Sequence, residues 1–469
     1  MLAPLLLASN RGPVTWGYDP AGELVGRRGS GGLVSALGSL QLGPELTWVC
    51  AALTDADRAA SRAGRAAQPG VQLLDLDPQT FALAYNGVAN GALWFTAHLL
   101  WSLATTPAFD GRSQREWAAF RVYSLAFADA LAAAAAPGAA VLVQDYHLCL
   151  VPALLRQRRP DLRISHFSHT PWAPPEYFAL LPDAMARGVL RGLLGADAVG
   201  FHTARWADAF TRCCVTLLGA AYDGRALTLD GRRTTVDVHP LGVDAGELRA
   251  RAAEPDVLAR LPELRALVGD RQLLLRIDRT ELSKNLVRGF AAYADLLRRH
   301  PEHRGRVVHL AFAYPSRHDL PEYRAYTRAV EQAAAAVNAE FAVPGWQPVH
   351  LEVKDDYARS LAAYTLADVL LVNPLRDGMN LVAKEGPVLS TRGVSLVLSR
   401  EAGAAEELRA HAHLVHPLDI SQTAEALHDA LTTRPDLRLA RTAGLLAAAT
   451  AHPPADWLQA QLAALPPAP

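Results

Sequence analysis

Short β-branched or leucine-rich runs, largely apolar, recur along the chain, at 5–7, 141–143, 164–167, 273–277, 307–312, 369–372 and 394–398. Between them Ala, Leu and Arg repeat with a helical period. A strand that is apolar throughout must be covered on both faces, so the pattern predicts parallel sheets with helices on either side, an α/β protein. The apolar start, residues 1–8, lacks a basic n-region and a cleavage site and reads as a first strand. The longest apolar tract, 125–143, is broken at Asp129 and at Pro137-Gly138, which predicts a helix, a turn and a strand and no membrane span.

Val238-His239-Pro240-Leu241-Gly242 punctuates the chain near its midpoint, after one set of βα units and before the next. This sets two domains, 1–240 and 241–452, with segment 238–242 as the hinge between them. Pro453-Pro454 stops the preceding helix, and the tail, 453–469, makes one more helix that packs back on the first domain.

With 469 residues, 46 basic and 47 acidic, the chain carries no field that would gather nucleic acid or an anionic membrane, so any anion site is local. Lysine occurs only at Lys284, Lys354 and Lys384; every other basic residue is arginine. Against that drift each lysine marks a place where a compact ammonium is wanted. Cys50, Cys149, Cys213 and Cys214 form no C-x-x-C motif and read as buried thiols of a reducing, cytoplasmic compartment.

Ligands of open parallel sheets bind beyond the carboxyl ends of strands, so candidates are sought there. Arg11 follows the first strand, with Gly31-Gly32-Leu33 a loop later. Gln144-Asp145-Tyr146-His147 follows the strand at 141–143, and His166 and His169 lie at the end of the next. Taken alone, the Asp reads better as a helix cap and each His as a core histidine, and the histidines lack metal-ligand spacing. Arg279-Thr280-Glu281-Leu282-Ser283-Lys284 places two cations in a turn before a helix. Asn373-Pro374-Leu375-Arg376-Asp377-Gly378-Met379-Asn380, with Gly378 at its tight point, opens a helix at Leu381-Val382-Ala383-Lys384-Glu385, presenting amides to an anion. Asp75-Leu76-Asp77-Pro78-Gln79-Thr80 resembles a phosphatase motif, but its Thr is one place late and the segment reads as a loop.

These motifs, in this order, resemble the trehalose-6-phosphate synthases, retaining glycosyltransferases of family 20 with the GT-B fold, in which two Rossmann-like domains face a cleft. The likeness runs from Ser9 to the tail helix. It implies that Arg11, Tyr85 and Arg317 clamp the phosphate of glucose 6-phosphate while Trp48, Trp94 and Asp145 line the acceptor pocket. Gly32 would face the donor phosphate. His169 and Asp377 would hold the donor glucose, Arg279 and Lys284 would neutralise the leaving diphosphate, and these four are the expected catalytic set. The amides of Gly378, Met379, Asn380, Leu381 and Val382 would cradle sugar and phosphate, and Glu385 would bind the ribose. The implied partners are a UDP- or GDP-sugar and a sugar phosphate, with no metal or other cofactor; a homo-oligomer is left open.

The chain departs from the family pattern at Leu282, Asn285 and Trp172, where it is similar to the validamycin-pathway pseudo-glycosyltransferase. Cyclitol coupling, or glucosyl transfer to another acceptor such as glycerol 3-phosphate, therefore stands as the alternative. Ser9-Asn10-Arg11, Asp145-Tyr146-His147-Leu148 and the run 377–385 favour true glycosyl transfer, and the retained charged positions argue against a sensor without turnover.

Overall fold

All seven apolar runs become strands of two sheets in the structure, a computed structural model that describes residues 2–28, 46–65 and 70–467. The first sheet takes β1 (Ala3–Ser9), β4 (Leu46–Ala51), β5 (Val71–Leu74), β6 (Ala135–Gln144), β7 (Arg163–Ser168), β8 (Ala198–Phe201), β9 (Ala221–Tyr222), β10 (Ala226–Leu229) and β11 (Arg232–Val238). Its order is β5-β4-β1-β6-β7-β8-β11-β10-β9, parallel from β5 to β11 and antiparallel at the last two pairings. A separate hairpin joins β2 (Val14–Tyr18) to β3 (Leu24–Arg28).

The second sheet is wholly parallel, in the order β14-β13-β12-β15-β16-β17. It comprises β12 (Gln272–Arg279), β13 (Val307–Tyr314), β14 (Val349–Glu352), β15 (Val369–Val372), β16 (Ser395–Ser399) and β17 (His413–Val415). The chain divides into two units, Met1–Leu241 with Pro454–Pro469, and Gly242–Pro453. Each has its own apolar core of strand and helix side chains. Where the chain passes between units, Gly242 donates its N–H to the His452 carbonyl at 2.6 Å, and a Cβ at Gly242 would meet that oxygen at 2.7 Å. The tail helix Pro454–Ala463 packs on β6 and β7, burying Trp457 against Phe167.

The turn expected at Pro137-Gly138 is a bulge inside β6 instead. Ala3 pairs with Ala135 and Leu5 with Ala140, so β6 spends five residues where β1 spends two. Gly138 takes φ +67°, its N–H donates to Asp161 at 3.0 Å and its carbonyl accepts from Arg163 at 3.0 Å. Side chains thus satisfy the backbone groups the bulge takes out of the ladder. Asp75-Leu76-Asp77 does follow a strand, β5, but Asp77 is an exposed helix cap accepting from Thr80 N–H at 2.8 Å. Among the described residues no helix is long and apolar enough to cross a membrane.

Candidate active site

Both sheets reverse their strand order, and the reversal points locate the site. In the first, β1 leads outward to β4 and β5 and then, on its other side, to β6, β7 and β8; in the second, β12 leads to β13 and β14 and then to β15. Beyond the carboxyl ends of the two strands at such a reversal the connections part in opposite directions and leave a crevice. Arg11 follows β1 and Asp145 follows β6. Arg279 ends β12, and the loop 373–380 follows β15. Each unit therefore carries some of its candidates at its own switch point.

In the first unit Trp48 donates its indole N–H to Ser9 Oγ at 2.8 Å, Ser9 Oγ donates to the Arg11 carbonyl at 2.6 Å, and Tyr123 donates to Asn10 Oδ1 at 2.8 Å. Trp48 is only 3% exposed and braces the Ser9-Asn10-Arg11 turn through this bond. Arg11 itself is exposed. Asp145 has φ +72° and ψ 166°, a region nearly reserved for glycine, and its carboxylate accepts the His169 N–H at 3.2 Å. Tyr85 stacks on His147 at 5.6 Å, and Trp94 packs on Tyr146 at 5.6 Å, forming an aromatic wall beside Asp145. Tyr85 lies in a wide π-type helix, Leu83–Leu93, which leads directly into Trp94.

His169 sits in a buried polar chain. Gln144 donates its amide N–H to Gln461 Oε1 at 3.0 Å, His169 Nε2 lies 3.0 Å from Gln144 Oε1, and His169 Nδ1 lies 3.2 Å from His202 Nε2. Burial, then His202 and His166, hold this imidazole well below its usual pKa, so it is neutral at pH 7.

In the second unit Lys284 Nζ meets Asp377 Oδ2 at 2.6 Å, and Asn380 Nδ2 donates to the same oxygen at 3.0 Å. Burial works against the Lys284 charge, but Asp377, Asp278 and Glu281 outweigh it and raise the pKa. Asn380 takes φ +80°, so the left-handed residue of this loop is Asn380 and not Gly378; its Oδ1 accepts the Ala383 N–H at 3.3 Å. The N–H groups of Met379, Asn380, Leu381 and Val382 make no hydrogen bond among the described residues. They lie at the N-terminus of helix Val382–Leu389, where the helix dipole favours an anion. Glu385 is half-buried one turn on, accepts from Tyr364 Oη at 2.8 Å, and is raised in pKa by desolvation. Arg279 is 45% exposed and Arg317 takes φ +50°; both flank buried Glu281, at 3.8 and 3.6 Å. Burial would raise the Glu281 carboxyl, but Arg317, Arg279 and Lys284 hold it at about 2.

Of the lysines, only Lys284 reaches this site. Lys384 is buried in an ion pair with Glu407 at 2.6 Å, and Lys354 lies on the surface. Gly32 lies outside the described residues. Sequence reasoning gave no role to Glu281, Asp278, Arg276 or His202; a lone Glu or Arg in a motif carries no mark of burial. Two of the three departures from the family pattern have structural work. Asn285 takes φ +62° and donates to the carbonyls of Asn373 and Pro417 at 3.0 and 2.7 Å, while Trp172 stacks on Phe178 in the core. Elsewhere, His300, Glu302 and His428 approach within 4.8 Å. The two rings stack 3.7 Å apart and 17° from parallel, so their in-plane lone pairs run side by side and do not converge on one ion.

Two Rossmann-like units with a crevice at each switch point define the GT-B class of transferases. Residues 5–466 match Glycosyltransferase family 20, and the chain belongs to that family. It is 35% identical to a bifunctional trehalose-6-phosphate synthase/phosphatase of Thermoproteus tenax over 92% of this chain, and spans 59% of that relative's length. It is 32% identical to a validamine 7-phosphate valienyltransferase of Streptomyces hygroscopicus, over 98% of this chain and 93% of the other. The E. coli trehalose-6-phosphate structure bound with UDP-2-fluoro glucose superposes with a TM-score of 0.84 at 27% identity, over 98% of both chains.

Proposed function

We propose that the chain is a trehalose-6-phosphate synthase, moving glucose with retention from a UDP- or GDP-glucose to glucose 6-phosphate. The observation that carries this reading is the second switch point, where Arg279 and Lys284, the N–H groups of Met379 to Val382 and the Asp377 carboxylate share one crevice. Two cations and a helix N-terminus suit a diphosphate, Asp377 suits sugar hydroxyls, and Glu385 suits a ribose. Arg11, Tyr85, Trp94 and Asp145 of the first unit suit a sugar-phosphate acceptor. His169, kept neutral, suits a sugar hydroxyl.

In the proposed step the bond between the sugar's C1 and the phosphate oxygen breaks as the acceptor hydroxyl bonds to C1 on the same face. The leaving phosphate oxygen takes the acceptor's proton. The diphosphate therefore gains negative charge, which fixed cations and amides stabilise without reorganising. These groups need no metal to do so. Metal-free turnover belongs to the same proposal, as does a cytoplasmic setting.

Cyclitol coupling, the alternative reading, drew on Leu282, Asn285 and Trp172. The packing and backbone work of Asn285 and Trp172 accounts for two of them without a change of substrate. The test is nucleoside diphosphate release from UDP-glucose and GDP-glucose, each with and without glucose 6-phosphate. Release that depends on glucose 6-phosphate is expected with at least one donor. Release from neither donor overturns the proposal.

A further inference from the structure

We infer that Arg276 is a positioning residue for the transfer reaction, locking the turn 279–284 to the loop 373–380 so that Lys284 and Asp377 meet the donor together. This rests on the donor-site reading above. Arg276 lies on β12, the strand at the second switch point, and is 0% exposed. A cation removed from water is retained only where ion pairing and hydrogen bonds replace its hydration. Here they reach three segments. Arg276 Nε lies 2.9 Å from Asp278 Oδ2, two residues on along the same face of the strand. Its Nη1 donates to Asn373 Oδ1 at 2.6 Å, at the start of the β15 loop. Its Nη2 donates to the main-chain carbonyl of Lys284.

The Lys284 ammonium closes the ring on Asp377, at 2.6 Å. One guanidinium thus fixes the backbone of the residue whose ammonium meets the loop, and the first residue of that loop. Only a planar fork with five donors reaches all three partners; an ammonium cannot. Helix Leu286–Arg299 makes room for it, because a Cβ at Gly289 would lie 2.2 Å from Arg276 Nη1. Asn285 adds a parallel tie, donating to the Asn373 carbonyl at 3.0 Å.

The experiment is a double-mutant cycle on the full chain. Arg276→Met is made together with Asp278→Asn so that no buried carboxylate is stranded, and Arg276→Lys is the second variant should that pair fail to fold. Each is made with and without Lys284→Ala, and kcat and KM are normalised to folded protein. A misplaced Lys284 lowers kcat by about 10²-fold, and this is expected with the glucose 6-phosphate KM changed by less than about threefold. In the Lys284→Ala background the same change is expected to cost less than about threefold more, because it acts through a group already removed. A kcat retained per folded molecule, or a loss that multiplies fully with that of Lys284→Ala, overturns the inference. If Lys284→Ala alone keeps turnover within a few-fold of wild type, the donor-site reading itself fails, a result distinct from failure of the Arg276 arm.

Discussion

Asp145 shows at the scale of one residue how the site trades stability for position. Its backbone sits at φ +72°, its N–H donates to the Phe167 carbonyl at 2.7 Å, and its carboxylate receives the His169 N–H. A non-glycine residue held there costs of order 1–3 kcal/mol, which the surrounding hydrogen bonds must offset. Asp145→Gly relieves that strain while removing the carboxylate that the proposed function aims at the acceptor. It is expected to keep the wild-type melting temperature within a few degrees and to lose transfer activity by about 10²-fold or more, whereas Asp145→Ala loses both. Thermal melts and initial rates on the two variants check this; equal melting temperatures for both would contradict it. Asp145 was legible because it followed a strand. Its conformation was not, since nothing local in Gln-Asp-Tyr-His demands a positive φ.

At the scale of elements, the sequence announced seven strands but neither the interior strands β4 and β8 nor how β6 is paired. An Ala-rich tract with Pro137-Gly138 fits a turn as well as a bulge by propensity. What decides is the pairing of Ala3 with Ala135, together with Asp161 and Arg163, which bond both backbone groups of Gly138. Gly138→Ala forces a side chain into φ +67° and is expected to destabilise by about 1–2 kcal/mol, read from denaturant midpoints. No change in midpoint would mean that the bulge relaxes. The run 377–385 was legible because a glycine-containing loop between an apolar strand and a helix has few other uses. The sequence put the tight point of this loop at Gly378; the left-handed residue is Asn380, whose side-chain oxygen caps the helix. The wide helix Leu83–Leu93 left no periodic signal at all, and it carries Tyr85.

Across the whole molecule, buried histidines set the response to acid. Burial pushes His166 down to about 4 and His309 down to about 3, and the ring nitrogens of His309 find no partner among the described residues. Above pH 6.5 these groups are neutral folded or unfolded, and their contribution to stability is complete. As pH falls below 6.5 the unfolded chain binds protons that the folded chain refuses, so stability falls by about 1.4 kcal/mol per pH unit for each. Asp278 acts oppositely: burial raises it to about 6, so the folded state holds its proton between there and its unfolded value, offsetting one of the two. A net decline in denaturant midpoint from pH 6.5 to 4 is expected, and His309→Leu is expected to flatten it. A midpoint that holds or rises over that window would contradict the assignment. Nothing in the sequence separated these core histidines from the site histidine, because burial is a property of the finished fold.

The central claim is that glucose leaves a nucleoside diphosphate and joins glucose 6-phosphate on the same face of C1. The most direct measurement is the structure of the product formed from the accepted nucleotide-glucose and glucose 6-phosphate, by mass and by proton coupling at both anomeric centres. The account predicts a phosphorylated, non-reducing disaccharide with both anomeric centres α. Free glucose, an inverted linkage or no sugar product would contradict it.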